Sequence, residues 1–168
     1  MNINPVYNKL PKSYYLNEDV VFLAKDLLGK TLFTNFNNNL TSGMIIETEA
    51  YRSINDKASH AYQNKKTKRN EMMYSQGGVI YVYICYGIHA LLNIVTNQKN
   101  IADAILIRAI QPIDGVSTMQ QRTSKTNILD LASGPGKLSV SLGIDIDSNG
   151  EKLTGNKIWI QDSKNIKI

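Results

Sequence analysis

Glu47 and Glu49 stand two positions apart in Ile46-Glu47-Thr48-Glu49-Ala50-Tyr51, and their type and spacing suit acid and base chemistry. On a regular strand Ile45, Glu47, Glu49 and Tyr51 point to one face, with the backbones of the two glutamates about 6.6 Å apart. Such a pair can give and take a proton. A solvent-facing strand edge would also hold both, because glutamate is mostly exposed in folded proteins. The apolar lead-in from Met44 to Ile46 and the following Ala50-Tyr51 favour a site. After them come His60, a basic run of Lys65, Lys66, Lys68 and Arg69, and the aromatic stretch Tyr81-Val82-Tyr83-Ile84-Cys85-Tyr86-Gly87. That order suits an enzyme that seats a flat, electron-poor ring between aromatic faces while a carboxylate works on the bond beside it.

Each of these residues also has a plain structural reading. His60 by itself is a surface loop histidine, and the basic run by itself is a solvated loop; following a carboxylate strand, it would bring phosphate contacts next to the reacting centre. Tyr81 and Tyr83 share a strand face and could pack half-buried on a sheet. Tyr86, at a strand end before Gly87, is better suited to pushing between bases as a wedge. Asn93 lies among Leu91, Leu92, Ile94 and Val95, and Arg108 lies between Ile107 and Ala109. Either these polar groups satisfy backbone groups locally, or they line a pocket where Asn93 reads a base edge and Arg108 holds a phosphate.

The elements that must position these residues follow from periodicity and punctuation. Asn17 is the expected N-cap of a helix from Glu18 to Leu28, stopped by Gly29, with Val20, Leu23, Ala24, Leu27 and Leu28 as its buried stripe. Thr31 to Phe36 and Leu40 to Glu49 read as a hairpin about a turn at Asn37 to Asn39. The polar interval from Arg52 to Gly78 reads as a long loop, functional or disordered, with short helices starting near Asn55 and Arg69. Strands at Val79 to Cys85, Leu91 to Thr96 and Ala104 to Ile110 form an antiparallel meander. Helical segments follow at Asp114 to Gln121, at Asn127 to Ala132, and from Ser133-Gly134-Pro135-Gly136 through Leu142, before a last strand at Lys157 to Gln161. The fold class is α+β with a mainly antiparallel sheet and short helices.

Composition narrows the function. A chain of 168 residues suits one domain spanning 1–168, which at that size buries roughly 70% of its unfolded surface. Nineteen Lys plus Arg against fourteen Asp plus Glu give +5, a modest preference for a polyanion. The single cysteine, Cys85, cannot form an internal disulfide, which fits a reducing compartment. Two histidines without zinc spacing lead us to expect no metal and no cofactor. Met1 to Leu10 lacks a signal-peptide core, and Val79 to Val95 is shorter than the ~20 residues of a spanning helix, so no membrane role is expected.

At these residues the chain resembles the alkyladenine (3-methyladenine) DNA glycosylase family of base-excision repair. The markers are Glu47-Thr48-Glu49-Ala50-Tyr51, Asp56 to His60, Thr67-Lys68-Arg69-Asn70, Tyr81 to Gly87, Leu106-Ile107-Arg108-Ala109 and Ser133-Gly134-Pro135-Gly136-Lys137-Leu138, spread from about Asn17 to Trp159. The resemblance implies a single domain with a curved sheet, and a monomer that takes damaged purines from double-stranded DNA without cofactor or metal. It implies a cytoplasmic protein, at the nucleoid in a bacterium. It places the water-activating base on Glu49, the base-holding residues on Tyr51, His60 and Tyr83, and the guanine-excluding side chain on Asn93. Tyr86 would fill the vacated stack, Arg108 would lie beside the flipped nucleotide, and Arg69 and Lys137 would contact DNA. Tyr81 would sit behind the site or face the DNA. The family pattern is broken at Ile88-His89 and at Lys68, and it implies a further basic, aromatic strand past Trp159. A noncatalytic nucleic-acid-binding domain and a carbohydrate hydrolase using Glu47 and Glu49 are the competing readings; the second needs carboxyls ~6.5 to 9.5 Å apart, which the spacing permits.

Overall fold

Alternating apolar residues build six strands whose neighbours all run antiparallel: β1 (Thr31–Phe36), β2 (Asn39–Tyr51), β3 (Ile80–Cys85), β4 (His89–Thr96), β5 (Asp103–Pro112) and β6 (Ile158–Gln161). In the computed structural model, which describes residues 8–162, they form one curled sheet in the order β3-β4-β5-β2-β1-β6. The hairpin of β1 with β2 and the meander of β3, β4 and β5 are as the sequence predicts, and the pairing of β2 with β5 joins them. The readings made on residues 1–7 and on the chain past residue 162 lie outside the described residues.

Three short helices, α1 (Val20–Asp26), α2 (Val116–Thr123) and α3 (Pro135–Leu142), pack on one face of the sheet. Beneath them lies the main core, with Ile80, Val82, Leu92, Ile94, Ile105 and Ile107 from the central strands meeting Leu23, Met119 and Leu138 from the helices. The opposite face holds a smaller cluster, in which Ala61, Met73 and Tyr74 of the long loop lie over Tyr81, Val95 and Ala104. The strand period of two therefore commits one set of side chains to the helices and the other set to the loop.

Local chemistry moves several boundaries. Asp19, and not Asn17, caps α1: its Oδ1 accepts from the N–H groups of Val21 and Phe22, both at 3.0 Å, while Asn17 Oδ1 receives Asp19 N–H at 2.8 Å. The helix ends at Asp26, so Leu27 stays buried and Leu28 is exposed, outside the predicted stripe. Asn55 has φ +68 and starts no helix, and the long loop turns helical only in 3-10 turns at Tyr62–Asn64 and Glu71–Tyr74. The segment Asn127 to Ala132 likewise makes only a 3-10 turn, at Ile128–Asp130. Pro135 in the first turn of α3 and Gly143 beyond its end, at φ +70, bound that helix.

β2 departs from regular alternation. Paired register shifts against β5 fall between Ile45 and Glu47 and between Glu47 and Thr48. Ile45 is consequently buried in the main core, off the face of Glu47 and Glu49 where a regular strand would put it. Thr48, whose hydroxyl donates to Ala24 O at 2.8 Å, faces α1. The irregularity lets both strands keep apolar residues under the helices at either end, with Glu47 and Arg108 set together on the outside.

No helix among the described residues is long and apolar enough to cross a membrane. Removal of the cap that replaces the predicted one, Asp19→Ala, is expected to lower stability in urea denaturation by about 0.5–2 kcal/mol, with a smaller loss for Asn17→Ala.

Candidate active site

On the loop-covered face, one rung of the sheet runs Tyr81, Asn93, Leu106, Glu49 across β3, β4, β5 and β2. Tyr83 and Tyr51 lie two residues along from its ends, on the same face. His60 comes from the loop above and completes the group. Tyr51, His60, Tyr81, Tyr83 and Asn93 line one pocket, with Ala58, Met73 and Ala104 filling the gaps between them.

The rings touch one another. His60 meets Tyr83 edge to face with centroids 4.5 Å apart, its Nδ1 lies 3.2 Å from the Tyr81 hydroxyl, and Tyr81 stacks on Tyr83 at 5.5 Å. The pocket volume is about 40 Å³, far below the roughly 300 to 1,000 Å³ of small-molecule sites. No flat ring fits between His60 and Tyr83 in this arrangement, because the two are already in contact. Burial pushes the Tyr81 phenol up to about 12. Burial against the tyrosines, then the nearby Arg69, lowers the His60 pKa from its ordinary value, although one side of the residue remains exposed.

Glu49 stands at the rim of this pocket. Arg108 Nη1 donates to Glu49 Oε2 at 2.8 Å, and Arg108 Nε donates to Glu47 Oε1 at 2.9 Å. One guanidinium thus ties both carboxylates, and these hydrogen bonds raise its already high pKa. The Tyr51 phenol is pushed up to about 12, first by burial and then by the charge and hydrogen bond of Glu49. Burial raises the Tyr83 phenol above its ordinary value, with a small further push from the charge of Glu49. Arg108, read from sequence as a phosphate holder, is engaged with glutamates here.

Asn93 is buried in the pocket wall and donates through Nδ2 to Tyr81 O at 3.3 Å and Leu91 O at 3.4 Å. It satisfies backbone carbonyls, the first of the alternatives read from sequence, and it also lines the pocket. Tyr81 is 1% exposed, which removes the DNA-facing role and makes it part of the floor. Arg69, an exposed loop cation, lies with its guanidinium 5.6 Å from the Tyr83 ring and donates to Ile84 O at 3.1 Å.

Tyr86 is apart from the rings, at the tip of the β3–β4 hairpin. It is 93% exposed with φ +51, and with Gly87 at φ +73 it turns the chain so that Tyr86 and the 75% exposed Ile88 project outward. Lys137, near the start of α3, lies exposed and lines a different hollow, with His89, Arg122 and Lys125. Arg122 is occupied there in bonding Ser141 O at 2.9 Å. Among the described residues, no three His, Cys, Asp or Glu side chains come close enough together to hold a metal ion.

Comparison with known proteins meets this geometry. The family model described as methylpurine-DNA glycosylase matches residues 14–168. The chain belongs to that family. It is 49% identical over 92% of its length to a protein of Chlamydia felis and 40% identical over 95% to one of Clostridium perfringens, covering 81% and 82% of those relatives; both are named "putative 3-methyladenine DNA glycosylase". A protein of Francisella tularensis with the same name is 51% identical over 77% of the chain and 66% of its own length. The family implies DNA as substrate.

Sequence reasoning missed the Arg108 bridge to Glu47, the Arg69 contact with Tyr83, and Asn70, whose buried side chain anchors the loop. A polar residue alone in an apolar strand was the available signal for Arg108; Arg69 and Asn70 were marked only by the Thr67-Lys68-Arg69-Asn70 motif, which says nothing of these contacts. Because the His60 pKa is lowered in the folded state, unfolded chains bind its proton more readily below about pH 6.5. Its contribution to stability is present above that pH and is lost as pH falls toward the lowered folded value. Thermal melts at pH 7 and pH 5 are expected to show a smaller acid loss in His60→Gln than in the unaltered protein.

Proposed function

We propose that this protein is a DNA repair glycosylase that swings a damaged purine of the 3-methyladenine type out of duplex DNA and hydrolyses its N-glycosidic bond. The observation that carries the reading is the Glu49 carboxylate, held by Arg108 and Tyr51 at the rim of a pocket lined by Tyr51, His60 and Tyr83. Enzymes that do chemistry on a base inside a duplex must first extrude it, at a cost of a few kcal/mol. Stacking on aromatic side chains returns about 1–3 kcal/mol per base. An alkylated purine carries positive charge, which adds roughly 0.5–2 kcal/mol of cation–π attraction that normal bases lack.

In this mechanism His60 turns off Tyr83 and the extruded purine takes its place between Tyr51, His60 and Tyr83. In so narrow a pocket, a guanine amino group has no room beside Asn93. Tyr86 fills the gap left in the stack, while Arg108, Arg69 and Lys137 hold the DNA. Glu49 takes a proton from water as the water oxygen bonds to the anomeric carbon; the bond from that carbon to the purine nitrogen breaks, and its electron pair neutralises the departing cation. No lysine is needed for a covalent intermediate, so the strand stays uncut.

The pairing of both carboxylates with one guanidinium disfavours carbohydrate hydrolysis, where one of them must be a protonated acid. Single-turnover assays on duplexes containing 3-methyladenine or hypoxanthine are expected to show base release, lowered by at least about 10²-fold in Glu49→Gln with duplex binding retained. Binding without release by the unaltered protein would favour the noncatalytic domain, and trapping of a protein–DNA adduct by borohydride would contradict simple hydrolysis. Tyr86→Ala is expected to weaken lesion-duplex binding and base release while leaving the thermal midpoint near its original value, since the ring is almost wholly exposed.

A further inference from the structure

The loop that carries His60 has no strand or α-helix between residues 52 and 79, so its shape depends on side chains. One of these is buried at its centre. Asn70 is 2% exposed; its Nδ2 donates to His60 O at 2.8 Å and to Lys65 O at 2.9 Å, and its Oδ1 accepts Thr67 N–H at 2.7 Å. Two of these partners are acceptors and one is a donor, so only one setting of the amide satisfies all three. The chain it spans needs such a tie: Gln63 and Asn64 have φ +55 and +57, in the left-handed region that side chains with a Cβ rarely adopt.

We infer that Asn70 is a positioning residue for His60, a role that rests on the reading of His60 as a base contact. The side chain fixes the carbonyl of His60 while the imidazole leans on Tyr83 and Tyr81. With the backbone held, the pocket opens by rotation of the ring and not by departure of the loop, and the ring returns to the same place over the base. Alanine at this position leaves two carbonyls and one N–H without their partner, and frees the His60 backbone.

The test is a double-mutant cycle with two readouts. Asn70→Ala is expected to lower single-turnover base release on the order of 10²-fold, the scale of a misplaced binding group, while affinity for undamaged duplex is kept. In a His60→Ala background the same change is expected to cost nothing further, because coupled residues do not add. The His60 ring resonance, one of two histidine signals in the chain, is expected to move in Asn70→Ala without any DNA. Unaltered activity, losses that multiply across the cycle, or an unmoved His60 resonance would each overturn the role. Should the alanine variant not fold, Asn70→Ser takes its place, and failure of both to fold would assign Asn70 to folding alone. The resonance needs no substrate, so it decides this role even if the unaltered protein releases no base.

Discussion

A strand can give only every second side chain to each face of its sheet, and three helices occupy one face of this one. The site follows from that division. Ile80, Val82, Leu92, Ile94, Ile105 and Ile107 meet the helices, so the intervening Tyr81, Tyr83, Asn93 and Arg108 must face the other way, toward the long loop. On β2 the same rule sends Thr48 and Ala50 inward and Glu49 and Tyr51 outward. The paired register shift at Glu47 adds one more outward carboxylate without exposing Ile45. The helices contribute little to the chemistry, but the face they seal determines which residues are left to do it.

Electrostatics then orders the outward group. Arg108 bridges Glu47 and Glu49 with side chains 38%, 55% and 42% exposed, a setting in which ion pairs contribute only about 0.2–1 kcal/mol to stability. Its effect is on geometry: a guanidinium is planar, and two of its nitrogens fix two carboxylates relative to the pocket rim. Burial and the neighbouring Glu49 hold the Tyr51 phenol protonated, and burial beside Arg69 keeps His60 neutral over a wider acidic range. The pocket therefore presents uncharged aromatic groups beside two carboxylates that share one guanidinium.

His60 packs edge to face on Tyr83, and the pocket that they line with Tyr51 and Asn93 holds only about 40 Å³. Ala58 and Ala104 leave space where larger residues would block it. A loop without regular structure can hold a ring this closely because buried side chains tie it down: Asp103 receives Ser53 N–H at 3.0 Å and Asn97 Nδ2 at 3.1 Å, and Asn70 binds the segment from His60 to Thr67.

Local pattern was enough to place the strands, their antiparallel order within β1–β2 and β3–β5, the proline and glycine that bound α3, and the outward set of Glu49, Tyr51, Tyr83 and Tyr86. These depend on interactions between near neighbours in the chain, which periodicity and turn residues record. The capping of α1 went to Asp19 over Asn17 because both are adequate caps and only the geometry of the chain before α1 chooses between them. The burial of Ile45, the sharing of Arg108 by two glutamates, the closure of His60 on Tyr83 and the anchoring by Asn70 were decided in tertiary structure. Each joins segments distant in sequence through register or side-chain reach, and neither leaves a periodic trace in a single chain.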